Sequence, residues 1–84
     1  MSESYALYHK PYCPYCRKVI SAMKAMHINI ELRDVEKKAA FNKELFQKGG
    51  KKQVPCLKIT KKKQQSWMYE SADIIDHLHK MADL

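Results

Sequence analysis

Glycine and proline are scarce in this chain, and no long apolar run is present. Two glycines and three prolines among 84 residues exclude an extended disordered segment and favour a folded chain. No hydrophobic run approaches the ~18 residues that a transmembrane helix needs. The first four residues have neither the basic nor the apolar stretch of a secretory signal. We therefore expect one small cytoplasmic domain that makes no contact with a membrane.

Cysteines and acidic residues are also few. Three cysteines are too few for a disulfide framework and indicate a redox or metal-binding pair plus one further thiol. Nine acidic residues against 16 lysines and arginines give a formal charge of +7, which we expect mainly on solvated faces and in a turn. A field that attracts anionic partners is the alternative. Nucleic acid is disfavoured, because no basic helix carries regularly placed aromatic residues.

Apolar periodicity predicts the element order β-α-β-α-β-β-α. The predicted strands are 5–9, 28–35, 54–59 and 65–69, and the predicted helices are 14–27, 37–48 and 72–81. The first strand, helix and strand form a βαβ unit, which predicts two parallel strands with a right-handed crossover. A polar, lysine-rich hairpin turn is predicted at 60–64, and Ser71 is predicted to be the N-cap of the last helix. The expected fold class is α/β, with a four-stranded mixed sheet flanked by helices.

The same patterns predict which side chains face the core. The inward-facing residues are expected to be Ile28, Ile30, Leu32 and Val35 in the second strand and Ala40, Phe41, Leu45 and Phe46 in the second helix. Arg33 is expected to face outward. Gly49-Gly50 is expected to end the second helix, because glycine commonly follows a helix C-terminus.

Two cysteines, Cys13 and Cys16, lie where the first strand is followed by the first helix. A Cys-x-x-Cys pair in a βαβ unit is typical of a thioredoxin-like redox motif. If Cys13 occupies the helix N-terminus, unpaired N–H groups and the helix dipole stabilise its thiolate. Cys16 then lies one turn further along on the same side, within reach of a mixed disulfide on Cys13.

A structural zinc site is the alternative use of such a pair, and we disfavour it. Zinc needs four ligands, and the remaining Cys56 and four histidines form no second pair at the usual spacing. No metal is therefore expected. We predict that Cys56 is a half-buried strand residue; a regulatory thiol that is cross-linked or glutathionylated is the alternative.

Three segments resemble glutathione-binding proteins of the thioredoxin fold. Residues 10–16, Lys-Pro-Tyr-Cys-Pro-Tyr-Cys, resemble the active site of a dithiol glutaredoxin. Residues 53–55, Gln-Val-Pro, resemble the family's cis-proline loop, and residues 69–75 resemble the Glu-Ser segment that opens the last helix. The last two look especially like the glutaredoxin domain of glutathione-transferase-like glutaredoxins. The resemblance runs from residue 5 to 78 and implies a thioredoxin fold, with residues 1–84 as a single glutaredoxin-like domain.

The resemblance implies glutathione as co-substrate and assigns residues to it. Cys13 would hold the glutathione sulfur in a mixed disulfide. The backbone of Val54, before a cis Pro55, would pair with the glutathione cysteine. The N–H of Ser71 would bind the γ-glutamyl carboxylate at a helix N-terminus, and Glu70 would meet the γ-glutamyl ammonium.

Further glutathione-binding residues implied by the resemblance are Lys10, Tyr15, Lys52 and Gln53. Lys10 and Lys52 would face the glycyl carboxylate, and Tyr15 would pack against the ligand. Gln53 departs from the family pattern, since many glutaredoxins have threonine there. The usual Gly-Gly pair before the last helix is also replaced, by residues 69–71. A conjugating transferase activity is not expected, because the helical domain of the transferase-like relatives is absent.

The function implied is that of a monomeric glutathione-disulfide oxidoreductase. Its partners would be glutathione and glutathionylated or disulfide-containing proteins. Cys13 would take up glutathione, and a second glutathione or Cys16 would resolve the intermediate. Two alternatives stay open: an iron–sulfur carrier dimer bridged by Cys13 and glutathione, and a thioredoxin-like electron donor reduced by a flavoprotein. Nucleic-acid binding is the least favoured.

Overall fold

Residues 3–82 fold into four strands and three helices in the predicted order. The structure is a computed structural model that describes residues 3–82. Its elements are β1 (Glu3–His9), α1 (Pro14–Ala25), β2 (Glu31–Asp34), α2 (Ala39–Gly49), β3 (Cys56–Lys61), β4 (Gln64–Met68) and α3 (Ser71–Ala82). None of the helices in this part of the chain has the length and apolar character needed to cross a membrane.

One mixed sheet carries all four strands in the order β2-β1-β3-β4. β1 and β2 are parallel, as the βαβ prediction requires, whereas β1–β3 and β3–β4 are antiparallel. Successive side chains of a strand point to opposite faces, so Leu7 and Tyr8 of β1 face different layers, and both are fully buried. The sheet must therefore be covered on both faces.

An aliphatic core fills the face covered by α1 and α3. Leu7 and Leu57 from the sheet pack there against the helical residues Val19, Met23, Ile74 and Leu78. Each fully buried aliphatic side chain contributes about 1.5–3 kcal/mol of transfer free energy. This layer holds the first residues of both helices at one end of the sheet.

The opposite face is covered by α2 and contains charged groups. The Tyr8 hydroxyl donates to Glu44 Oε1 at 2.5 Å, and Arg33 Nη1 donates to the same oxygen at 2.9 Å. Lys58 Nζ lies 3.4 Å from Glu44 Oε2, although the Lys58 residue is only 8% exposed. Leu45 is the fully buried residue of α2. We call Tyr8, Arg33, Glu44 and Lys58 the polar network.

The predicted direction of several side chains is wrong. Leu32 is 45% exposed, while Arg33, expected to face outward, reaches the polar network. β2 is an edge strand, so Leu32 has a neighbouring strand on one side only and remains accessible to solvent. Phe46 is 53% exposed and Ala40 is also exposed, because α2 presents a narrower buried stripe than its apolar composition suggests.

Backbone geometry confirms the predicted C-terminus of α2 and corrects the predicted N-cap of α3. Gly50 ends α2 in the left-handed conformation, with φ of 89°, and its N–H donates to the Phe46 carbonyl at 3.0 Å. Such a φ is easily adopted only by glycine. Ser71 is the first helical residue of α3 rather than its N-cap. The Glu70 carbonyl accepts the first helical hydrogen bond, from Ile74 N at 2.9 Å.

Candidate functional site

Cys13 occupies the N-cap of α1, at the end of the loop that follows β1. Its backbone is extended, Pro14 takes the first helical position, and the Cys16 N–H donates to Cys13 Sγ at 3.2 Å. Proline is suited to that position, because its missing N–H would have no helical acceptor there. The hydrogen bond and the helix N-terminus together stabilise negative charge on the Cys13 sulfur.

Cys16 is the second thiol of the pair and is completely buried. Burial raises the pKa of Cys16, and its hydrogen bond with the Cys13 side chain raises it further. Both cysteines are free thiols, and Cys13 is partly exposed. The two residues therefore differ chemically: Cys13 is the accessible sulfur, and Cys16 is held as a neutral thiol beneath it.

The loop before β3 approaches the accessible thiol. Val54 O lies 4.0 Å from Cys13 Sγ, and the Val54–Pro55 peptide bond is cis, as the resemblance implies. Pro55 is buried, whereas Val54 is half-buried. A backbone edge thus lies directly beside the sulfur.

A cleft of about 220 Å³ adjoins this edge. Its lining comes from three separate segments of the chain and consists of Tyr15, Gln53, Val54, Pro55, Tyr69, Glu70 and Ser71. All of these except Tyr69 were predicted to bind glutathione. The first turn of α1, the loop before β3 and the start of α3 meet here because they all lie at one end of the sheet.

The other two predicted binding residues, Lys10 and Lys52, do not line the cleft. The Lys10 carbonyl accepts a hydrogen bond from Cys13 N at 3.3 Å, and the residue is exposed. Lys52 Nζ lies 5.3 Å from the centre of the Phe46 ring, a cation–π contact on the outside of the protein. Both lysines therefore lie near the cleft but outside it.

Tyr69 is a cleft residue that the sequence reasoning missed. Its hydroxyl donates to the Gly49 carbonyl at 2.6 Å, and Lys51 Nζ lies 5.2 Å from the centre of its ring. Burial raises the pKa of Tyr69. Its position directly before Glu70 was the available signal. Tyr69 was predicted to be the last residue of the fourth strand, whereas β4 ends at Met68 and Tyr69 lies in the connection to α3 that lines the cleft.

Ser71 and Glu70 mark the helical side of the cleft. Because Ser71 is the first residue of α3, its N–H has no acceptor within the helix. A carboxylate is a favourable ligand at such a position. Glu70 is exposed and adds an acidic group next to it.

Cys56 follows Pro55 but belongs to the core. Its thiol is fully buried beneath α2, and burial raises the pKa of Cys56 to about 11. The prediction of a half-buried strand residue underestimated this burial, because the polar network and Trp67 also cover that part of the sheet. A buried neutral thiol is a poor nucleophile, so Cys56 packs as a small apolar side chain.

The donor groups near the cysteine pair bear on metal binding. Within residues 3–82, no three histidine, cysteine or acidic side chains lie close enough together to hold one ion. The described part of the site thus consists of one accessible thiol, a backbone edge and a cleft.

The chain belongs to the glutathione S-transferase N-terminal domain family, whose model matches residues 7–83. No curated protein sequence matches it significantly. Among solved structures, it resembles maleylacetoacetate isomerase from Anaeromyxobacter dehalogenans, with a TM-score of 0.74 and 18% identity over 98% of this chain and 39% of that one. One structure of that isomerase contains glutathione in its active site. The present chain spans about two fifths of the isomerase.

Two further structures show the same fold. Glutathione transferase Omega 2S from Trametes versicolor has a TM-score of 0.71 and 13% identity over 99% of this chain and 38% of that one. Glutaredoxin from Brucella melitensis has a TM-score of 0.58 and 15% identity over 93% of this chain and 79% of that one. The predicted thioredoxin fold is thereby confirmed.

Proposed function

We propose that this chain is a glutathione-dependent thiol–disulfide oxidoreductase in which Cys13 is the nucleophile. The observation that carries the proposal is the position of Cys13 Sγ, at a helix N-terminus and 4.0 Å from Val54 O at the edge of the cleft. A ligand sulfur bonded to Cys13 would leave the rest of the ligand beside that backbone edge. Glutathione bound to the isomerase of the same fold supports this choice of ligand.

The parts of the cleft match the parts of glutathione. Val54 precedes Cys56, where the strand pairing of β3 begins, so its backbone edge lies outside that pairing and is suited to the cysteinyl peptide groups. The Ser71 N–H at the start of α3 would take the γ-glutamyl carboxylate, and Glu70 would take the ammonium. Tyr15 would cover the ligand from the other side.

The size of the cleft also indicates where the glycyl end goes. At about 220 Å³ the cleft is smaller than the ~300–1,000 Å³ typical of sites that enclose a drug-sized ligand. Part of the tripeptide would therefore extend over the surrounding surface. Lys10 and Lys52 lie there, outside the cleft lining, where either ammonium group can attract the glycyl carboxylate.

The reaction would proceed by two thiol–disulfide exchanges. The Cys13 thiolate attacks the glutathione sulfur of a mixed disulfide; a new S–S bond forms to Cys13, and the original S–S bond breaks. The substrate leaves as a thiolate and takes up a proton. A second glutathione thiolate then attacks the glutathione sulfur, which regenerates the Cys13 thiolate and releases oxidised glutathione.

Cys16 offers a slower second route. Its thiolate would attack Cys13, release glutathione and leave a Cys13–Cys16 disulfide. Burial raises the pKa of Cys16, so only a small fraction is thiolate at neutral pH. Resolution by external glutathione is therefore the main route expected, with Cys16 serving chiefly as the N–H donor to Cys13.

The assignment of roles is tested with Cys13→Ser and Cys16→Ser. With glutathione as reductant and a small glutathione mixed disulfide as substrate, Cys13→Ser should reduce turnover to the uncatalysed rate. Cys16→Ser should keep most of it, because its backbone N–H is retained. Equal loss in both variants would contradict the assignment. Amide shifts at Val54 and Ser71 on titration with S-methylglutathione provide an independent test of the cleft, and shifts confined elsewhere would contradict it.

The pH dependence of the slower route follows from the raised pKa of Cys16. In the single-turnover reaction of the Cys13–glutathione adduct without added thiol, glutathione release should rise about tenfold per pH unit through the neutral range. The reason is that the thiolate fraction grows by that factor well below the pKa. Cys16→Ser should abolish this release, and a rate independent of pH between 6 and about 9 would contradict the burial argument.

A further inference from the structure

We infer that the surface around Cys13 binds an acidic segment of the polypeptide that carries the disulfide. This inference rests on the proposed function and narrows its substrate class. The surface is an aromatic–lysine rim, which we define as Tyr12, Tyr15, Phe46, Lys51 and Lys52.

Two of the three exposed aromatic residues flank the reactive thiol in the chain, and the third, Phe46, contacts Lys52 next to the cleft residue Gln53. Tyr12 is 80% exposed and directly precedes Cys13, Tyr15 is 62% exposed and lines the cleft, and Phe46 is 53% exposed. The remaining large apolar side chain exposed within residues 3–82 is Leu32, on the edge strand. Clustered exposed aromatic residues are typical of surfaces that bind another protein. A small disulfide would occupy the cleft without covering Tyr12 and Phe46, so the rim favours a polypeptide.

Direct contacts connect the lysine part of the rim to the cleft. Lys51 Nζ lies 5.2 Å from the ring centre of Tyr69, a cleft residue. Lys52 precedes the cleft residue Gln53, and its Nζ lies 5.3 Å from the ring centre of Phe46. These cation–π contacts place one ammonium group over the half-buried ring of Tyr69 and the other over the exposed ring of Phe46. Polar and apolar contacts are thus available side by side, as in the anchor regions of protein interfaces.

Two cationic residues are also bonded to Cys13 through their backbones. The Arg17 N–H donates to the Cys13 carbonyl at 3.0 Å, and the Lys10 carbonyl accepts from the Cys13 N–H at 3.3 Å. Burial raises the pKa of Cys16, and the charge of Lys10 opposes that rise, so the Lys10 ammonium group acts on the cysteine pair. The cationic residues on this surface are Lys10, Arg17 and the two rim lysines, and the acidic residue of the cleft lining is Glu70. A field of this sign attracts acidic segments and accelerates their association at low ionic strength.

The test compares two peptides that each carry glutathione on one central cysteine. Aspartate and glutamate flank the cysteine in one peptide, and lysine flanks it in the other. With glutathione as reductant, kcat/KM at low ionic strength should be about tenfold higher for the acidic peptide. The preference should fall to about twofold or less at ~0.5 M salt, because exposed charges are then screened. A small mixed disulfide of glutathione and 2-mercaptoethanol measures the activity that does not depend on the rim.

Matched variants separate the rim from the net charge. Lys51→Glu should lower the acidic-to-basic ratio of kcat/KM about fivefold. Lys63→Glu makes the same charge change in the β3–β4 turn, at the opposite end of β3 from Cys56. A six-residue strand separates the two ends of β3 by about 20 Å. The acidic-to-basic ratio of kcat/KM should therefore stay unchanged in this variant. Tyr12→Ser should lower kcat/KM for both peptides about threefold or more and leave turnover of the small mixed disulfide unchanged.

The outcomes distinguish this inference from the proposed function. Equal kcat/KM for the two peptides would overturn the inference, as would equal effects of Lys51→Glu and Lys63→Glu on their ratio. In both cases continued turnover of the small mixed disulfide would leave the proposed function standing. Absence of turnover with the small mixed disulfide and with both peptides would overturn the two together.

Discussion

The two faces of the sheet are stabilised in different ways. Under α1 and α3 the contacts are aliphatic, with Leu57 at their centre. Under α2 the polar network of Tyr8, Arg33, Glu44 and Lys58 lies beside a smaller apolar cluster. The aliphatic face is stabilised by the removal of apolar surface from water, which depends little on pH. The polar face depends on the charge of ionisable groups, and therefore on pH.

The cleft is built from residues of both layers, so each layer affects ligand binding in its own way. Cys13 and Ser71 start α1 and α3, so the reactive sulfur and the helix N-terminus are anchored in the aliphatic layer. Gln53 and Val54 follow α2, and Tyr69 hydrogen-bonds to its last residue, Gly49. Damage to the aliphatic layer should unfold the protein, whereas damage at the end of α2 should alter ligand binding in a folded protein.

The largest expected effect is on the aliphatic face, from Leu57→Ala. The side chain is fully buried between β1 and the helices, and its truncation should lower the free energy of unfolding by about 2–5 kcal/mol. Urea unfolding followed by Trp67 fluorescence measures this. Leu32→Ala removes the same atoms from an exposed position and should cost less than about 0.5 kcal/mol. Equal costs would contradict the difference between core and edge.

A smaller, pH-dependent effect is expected on the polar face, from Glu44→Gln. Burial opposes ionisation of Glu44, but the Tyr8 hydroxyl, Lys58 and Arg33 together hold the pKa of its carboxyl below its usual value of 4.5. The substitution should cost about 1–3 kcal/mol at pH 7, because it leaves the nearly buried Lys58 without a carboxylate. A carboxyl group whose pKa is lowered by folding stabilises the folded state above the unfolded pKa. This stabilisation is lost as the pH falls through the folded pKa. The cost should therefore shrink between pH 5 and 3.

Asp76→Asn is the matched control for the polar network. Asp76 pairs with Lys80 at 3.8 Å on α3, and both side chains are more than 70% exposed. Such surface pairs contribute little, so unfolding of this variant should follow that of the unmodified protein at every pH. A pH-independent cost of Glu44→Gln, or a pH-dependent cost of Asp76→Asn, would contradict the distinction between the network and the surface.

A smaller effect on stability than those of Leu57→Ala and Glu44→Gln, together with an effect on the cleft, is expected from Gly49→Ala. A Cβ at Gly49 would meet the Tyr69 hydroxyl and lie 2.9 Å from Trp67 Cε3, so both side chains must shift. We expect a loss of about 1 kcal/mol in stability and about a threefold rise in KM for glutathione with little change in kcat. Steady-state kinetics with varied glutathione measure this.

Gly50→Ala is the control for that variant. A Cβ there meets nothing, but the left-handed φ of 89° is strained for alanine and should cost about 1 kcal/mol. KM should stay unchanged, because the cleft is not touched. A rise in KM with Gly50→Ala alone would show that the helix end, rather than the Gly49–Tyr69 contact, positions the cleft.

Local patterns predicted most of the architecture. Helical spacing of the apolar residues of α1, the βαβ order and the glycine after α2 depend on interactions between near neighbours in the chain, and all three are confirmed. Six of the eight predicted glutathione-binding residues meet in one cleft. Their motifs identified them because each motif is contiguous in the chain.

The failed predictions concern contacts between distant elements. Leu32 alternates correctly for an inward position, but it lies on the edge strand and stays 45% exposed, whereas its neighbour Arg33 bonds to Glu44 of α2. Phe46 has helical spacing, yet it lies outside the narrow buried stripe of α2. Tyr69 begins the 69–75 motif, but the motif does not show that Tyr69 lines the cleft or that its hydroxyl bonds to Gly49. Burial of this kind depends on which element lies opposite, and periodicity carries no information about that.

The amino-acid sequence by itself determined the order of the elements and the position of the cysteine pair at a helix start. It also identified the segments that meet in the cleft. Each of these features depends on residues that are close together in the chain. The tertiary structure alone decided that Cys13 is accessible while Cys16 and Cys56 are buried. It also decided that one face of the sheet carries charge and that lysine and aromatic side chains pair next to the cleft. These properties arise from solvent exclusion and from distances between remote residues, which exist only once the sheet and helices have packed together.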